Sequence, residues 1–216
     1  ARRAEKTREA RCGGKAVTRR PRMLNEPKES AAPYVVFAVV VALLLVVLIV
    51  NLLRVTYTFA VDVTGSSMED TIHGGDFVYA LRSFDAERGD IVIIDVQGDP
   101  GFKPKTENII KRLIAKEGDC VKCEDGVVYV KPAGGEYAPL DEPYTKGVTP
   151  DFPEVAVGEG EIFFLGDNRG VSRDSTEVGT RLYSDIIGVV PDWAVSIKGL
   201  TTPVEKFRYA LQDLFS

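Results

Sequence analysis

Lys111 is the residue whose type and setting could run nucleophilic chemistry, as a base for a serine hydroxyl such as that of Ser67. A serine hydroxyl is a weak nucleophile until a base takes its proton, and a lysine is such a base only when neutral. Lys111 lies in Asn108-Ile109-Ile110-Lys111-Arg112-Leu113-Ile114, a strand pattern with charge embedded in it. Period two places Lys111 with Ile109 and Leu113 on one face and Arg112 with Ile110 and Ile114 on the other. An amine on an apolar face is desolvated, which disfavours its charge and lowers its pKa. Read from the strand alone, the alternative is a lysine whose stem packs while its ammonium reaches water.

Other chemistries fare worse. The single histidine, His73, sits in a turn six residues after Ser67 and reads as solvated rather than as a catalytic base. Cys120-Val121-Lys122-Cys123 offers two thiolates where a structural zinc wants four ligands. The pair lies among strands rather than at a helix start, unlike a thioredoxin-type redox motif. It is either a disulfide of an oxidising exterior or two inert thiols. No metal and no cofactor is expected.

What positions these residues is a chain of 216 residues with 44% apolar and 27% charged residues, enough for one domain plus an appendage. The formal net charge of -5 gives no hint of nucleic-acid binding, but it conceals a split. Residues 1–32 carry ten Lys/Arg against four Asp/Glu, and the rest carries seventeen against twenty-eight. At the junction, residues 33–53 read PYVVFAVVVALLLVVLIVNLL without a charge. At ~1.5 Å per residue this run is roughly as long as a hydrocarbon core is thick, and it predicts a transmembrane anchor. A cleaved signal would have a shorter apolar core and a shorter basic flank. The basic flank, a disordered tail by composition, places the N-terminus in the cytoplasm and the acidic body, 54–216, outside. The first residue is Ala rather than Met, as in a processed or incomplete start.

The body reads as mostly β. Val55, Tyr57, Phe59, Val61 and Val63 alternate with Thr56, Thr58, Ala60, Asp62 and Thr64, as in a half-buried strand. Further apolar runs at Phe77–Leu81, 91–96, 109–115, 127–130, 162–165, Ile186–Val190 and 193–197 are separated mostly by glycine turns. They predict an antiparallel sheet or barrel. Residues 98–107 and 132–160 look like loops or a small insertion. Val204, Phe207, Leu211 and Leu214 have helical spacing, so 203–215 predicts a short amphipathic helix, docked either on the body or on the membrane.

Thr64-Gly65-Ser66-Ser67-Met68-Glu69-Asp70-Thr71-Ile72 with Gly75-Asp76 resembles the G-x-SM-x-PT-L…GD signature of bacterial type I signal peptidases. Arg88-Gly89-Asp90-Ile91-Val92, the run from Ile110 to Asp119, Asp141-Glu142-Pro143-Tyr144 and the box from Gly166 to Ser175 are similar to the family's later blocks, in the family's order. The resemblance covers roughly residues 34–200, in a single-anchor, Gram-positive-like form. It implies a membrane-bound endopeptidase that removes signal peptides from secretory precursors after an A-x-A pattern. Ser67 would be the nucleophile, Lys111 the general base and Ser172 the residue that aims the lysine. Asp167, Asp174 and Arg112 would hold the box against the lysine strand. The Ser67 backbone would face the oxyanion; Gly65 stands where some members add a hydroxyl, and Ser66 is the adjacent donor. Substrate would add as a strand between an edge carrying Phe59, Val61 and Val63 and one carrying Asn108, Ile109 and Ile110.

Two residues depart from the pattern: Asp70 stands for the family's proline, and Thr176 for an arginine that often follows the box aspartate. Asp174 is then left to pair with Arg173 or Arg181. The rival readings are a membrane-anchored binding module or inactive homologue, and a sortase-like enzyme using Cys120 or Cys123 with His73. The implied partners are precursor proteins and the bilayer, with no nucleic acid.

Overall fold

The computed structural model describes residues 31–82 and 85–214, so nearly all of the basic tail assigned to residues 1–32 lies outside the described residues. The chain divides into two compact units at Leu45 and Val46, within its first helix. That helix, α1 (Ala32–Tyr57), has no buried residue, and among the described residues it is the one helix long and apolar enough to cross a membrane.

α1 runs four residues past the apolar stretch, so Val55 and Tyr57 are helical and the strand that follows, β1 (Thr58–Asp62), is shorter than the alternation predicted. Extending an existing helix is easy compared with nucleating one. The β-branched residues at the join are accommodated because Thr56 Oγ1 donates to the Leu52 carbonyl at 2.8 Å and Thr58 Oγ1 to the Arg54 carbonyl at 2.7 Å.

The body holds β2 (Phe77–Leu81), β3 (Ile91–Asp95) and β4 (Asn108–Lys116), the strand of Lys111. Next come β5 (Cys120–Glu124), β6 (Val127–Lys131), β7 (Ala138–Pro139), β8 (Phe152–Ala156) and β9 (Glu161–Leu165). The short helix α2 (Ser175–Val178), β10 (Arg181–Leu182), β11 (Ile186–Val190), α3 (Asp192–Ser196) and α4 (Lys198–Leu214) complete the chain. A seven-stranded sheet has the order β1-β2-β11-β3-β4-β9-β10, and a second sheet the order β7-β6-β5-β8; the strand pairs are antiparallel. The fold is therefore the mostly β, antiparallel architecture expected.

The insertion is larger and more regular than expected. The run 127–130 belongs to it, and the Pro- and Gly-rich stretch 132–160 supplies two of its strands. Gly118, at φ +79°, takes the left-handed conformation that turns β4 into β5 and starts this second sheet. The run 193–197 is helical rather than extended: the chain enters α3 from the extended residue Pro191, and Asp192 in the first turn suits the positive end of the helix dipole. α4 begins at Lys198, five residues before the spacing suggested, and carries Pro203 within it.

Cys120 and Cys123 are free, which corrects the disulfide reading. Both lie on β5, and three residues along a strand put side chains on opposite faces about 10 Å apart. A disulfide needs Cα atoms within about 7 Å. Cys123 instead packs in the core between the sheets, with Val121, Val128, Phe163 and Leu165.

Candidate active site

The turn that carries Ser67 is anchored by its apolar residues. Met68 and Ile72 are fully buried, in one cluster with Val63, Val78 and Ile93, and the Ile72 N–H donates to the Met68 carbonyl at 2.8 Å. Ser67 is therefore presented half-buried between exposed Ser66 and a core methionine. Asn168 grips the turn from the other side: its N–H donates to the Ser67 carbonyl at 2.9 Å and its side-chain amide to the Ser66 carbonyl at 3.1 Å. The Ser67 N–H makes no hydrogen bond among the described residues.

β4 delivers the lysine. Lys111 is 4% exposed, and its Nζ donates to Ser67 Oγ at 2.7 Å and to the Ile110 carbonyl at 3.0 Å. Burial lowers its pKa to about 8, against the opposing pull of Asp174 and Asp167. Neither carboxylate forms an ion pair with it among the described residues, so desolvation prevails.

The neighbouring Arg112 holds the scaffold. It donates from Nε and Nη2 to the two oxygens of Asp167 at 2.8 and 2.6 Å and from Nη1 to the Gly89 carbonyl at 2.6 Å. Asp167 also accepts from Thr71 Oγ1 of the serine turn at 2.6 Å. One buried carboxylate thus ties the strand of the lysine to the turn of the serine. Tyr144 lies over the Arg112 guanidinium at 3.7 Å, and its neighbour Glu142 pairs with Arg169, whose Nε donates to the Gly166 carbonyl at 3.0 Å.

Asp70 and Thr176, the two residues expected to depart from the pattern, are both hydrogen-bonded. Asp70 is exposed and accepts from Lys146 Nζ at 2.9 Å; that contact holds its pKa below the usual carboxylate range. The Lys146 backbone also bonds Asp167 and Arg169, so the turn and the box are stapled by one residue. Asp174 pairs with neither Arg173 nor Arg181, which face Glu177 and Asp99. It accepts instead from the Gly166 N–H at 3.0 Å and from the Thr176 hydroxyl at 2.8 Å, and it caps α2.

Ser172 departs from expectation. Its hydroxyl is buried without a hydrogen-bond partner among the described residues, while the second bond of the lysine amine goes to the Ile110 carbonyl. The Ser172 side chain rests on Gly166, where any Cβ would collide with it and lie 2.7 Å from the Ser67 carbonyl oxygen.

A cleft of about 520 Å³ opens beside Ser67, lined by Phe59, Val61, Val63, Gly65, Asn108, Ile109 and Ile110, with Lys105, Thr106 and Glu107 at its rim. β1 is the last strand of its sheet, and β4 pairs with β9 only from Arg112 onward. Both walls therefore offer open strand edges. The sequence missed Asn168, Arg169, Thr71 and the rim residues; the first two stood in the Gly166–Ser175 box, but nothing in their type told which atoms they would hold.

The profile of the family described as "Signal peptidase, peptidase S26" matches residues 36–193. The chain belongs to the peptidase S26 family. A signal peptidase I of Bacillus licheniformis is 35% identical over 162 residues, covering 70% of this chain and 84% of that protein. Signal peptidase I T of Bacillus subtilis (strain 168) is 35% identical over 153 residues, covering 64% and 72%. A crystal structure of a signal peptidase I from Enterococcus faecalis V583 aligns at 25% identity and a TM-score of 0.41, over 50% of this chain and 98% of that one. As an S26 member the chain is a peptidase of the kind that removes signal peptides, and its apolar helix suits a membrane-anchored protein.

Proposed function

We propose that the chain is a membrane-bound signal peptidase I working through Ser67 as nucleophile and Lys111 as general base. The observation that carries this reading is the 2.7 Å contact between Lys111 Nζ and Ser67 Oγ, with the amine buried and its pKa lowered to about 8. A neutral amine at that distance accepts the hydroxyl proton as the oxygen attacks the scissile carbonyl. The unpartnered Ser67 N–H serves the developing oxyanion. Gly65 brings no side-chain donor, and exposed Ser66 is the adjacent hydroxyl that could add one. Protonated Lys111 then gives its proton to the leaving amine, and the same lysine activates the water that hydrolyses the acyl-serine. In this reading Ser172, whose buried hydroxyl makes no hydrogen bond among the described residues, aims the amine.

The substrate is the extended end of a signal peptide, added as a strand between the open edges of β1 and β4. The residues next to the cut, flanked by Phe59, Val61, Val63 and Ile110, must be small, which gives A-x-A specificity. The helix α1 anchors the enzyme with its N-terminus in the cytoplasm and its body outside, where precursors emerge. Cys123 is a poor candidate for a sortase-like nucleophile: it is 2% exposed and burial raises its thiol pKa, the opposite of activation.

The test is to incubate the detergent-purified protein with a precursor carrying an A-x-A site and to map the new N-terminus. Cleavage directly after the second alanine, lost when Phe or Lys replaces either alanine, supports the reading. Equal cleavage with Phe at both positions contradicts it, and an uncleaved precursor leaves the binding-module reading.

A further inference from the structure

α4 lies beyond the family match, which ends at residue 193. One face of it is committed to the body. Thr201 Oγ1 donates to the Phe77 carbonyl at 2.7 Å, the Phe77 N–H donates to Thr202 Oγ1 at 2.9 Å, and the Tyr209 ring packs 5.5 Å from the Phe77 ring. Glu205, 1% exposed, accepts from Tyr79, from Arg208 at 2.6 Å and from Arg54 at 3.2 Å.

The other face is apolar and bare. Leu200, Val204, Phe207, Leu211 and Leu214 recur at intervals of four and three, which puts them on one stripe about 100° wide. They are 73%, 62%, 67%, 39% and 76% exposed, so all but Leu211 present most of their surface to solvent. A stripe of this size marks an interaction surface.

Its position indicates what covers it. Arg54 is the first charge after the apolar run 33–53, so it marks the depth at which that run meets water. Arg54 and α4 belong to the same compact unit, and the Arg54–Glu205 contact sets the centre of α4 at this depth. Arg208 borders the stripe with its side chain 60% exposed, as a cation does on a helix lying in a headgroup layer. We propose that the outer face of α4 lies in the headgroup–acyl boundary of the bilayer, as a second membrane contact beside α1. This holds whether or not Ser67 and Lys111 act together.

The chain has one tryptophan, Trp193, which makes the test direct. In full-length protein carrying Trp193→Phe with Phe207→Trp, the single indole sits mid-stripe. After reconstitution in phosphatidylcholine–phosphatidylglycerol vesicles, lipids brominated near the headgroup end of the acyl chain should quench its emission about twofold or more, and acrylamide should quench it weakly. Trp193→Phe with Leu211→Trp should respond alike, which guards against one misfolded variant. Strong acrylamide quenching without bromolipid quenching at both positions overturns the proposal. So does a blue-shifted emission that bromolipids leave untouched and that reverts on protein dilution, since a second copy then covers the stripe.

Discussion

Thr176 donates its hydroxyl to the buried carboxylate of Asp174 at 2.8 Å. Asp174 is 3% exposed, and its remaining acceptors serve the N–H groups of Gly166 and Thr176. Thr176→Val keeps the shape and removes one hydrogen bond to a buried carboxylate, a loss of roughly 1–2 kcal/mol of stability. Urea unfolding in detergent should show that loss, with the pH dependence of cleavage unchanged.

Gly166 marks the tightest approach in the site. A Cβ there meets the Ser172 side chain and lies 2.7 Å from the Ser67 carbonyl, so either the box or the serine turn must move. A displacement near 1 Å at a reacting oxygen costs on the order of 10²-fold in rate. Gly166→Ala should therefore lower kcat on a precursor by about that factor while KM changes little. An unchanged kcat would mean that the box yields without moving Ser67.

How much of this was legible beforehand follows from local pattern. The strands at Phe77–Leu81 and Ile186–Val190 were readable because their apolar residues are bracketed by turns. The strand β8 was not, because FPEVA contains a proline and a charge and pairs only through β5. The Lys111–Ser67 pairing was suggested by motif order, but its geometry depends on contacts 44 residues apart. The Cys120–Cys123 spacing allowed a bridge until β5 put the thiols on opposite faces. Asn168 was invisible as a site residue because its work is done on backbone carbonyls, which no side-chain pattern records.

Lys111 should weaken the fold it serves. Its folded pKa of about 8 lies below the unfolded value of 10.5, so the unfolded chain binds the extra proton between those values. Stability then rises with pH through this window, and the full cost, roughly 3 kcal/mol, is present below about 8. Lys111→Met keeps the stem and removes the amine. It should be more stable than the wild type at pH 7, and its advantage should shrink towards pH 10.5. Urea midpoints at the two pH values check the sign.

The most direct test of the Ser67–Lys111 account is cleavage rate against pH for the wild type, Lys111→Arg and Ser67→Ala. The neutral amine is the working form, so the wild-type rate should rise along one ionisation near 8 and then level off. Ser67→Ala loses the nucleophile and Lys111→Arg cannot deprotonate in this range, so both should be silent at every pH. Appreciable turnover by Lys111→Arg, or a wild-type rate that falls between pH 6 and about 8, would contradict the account.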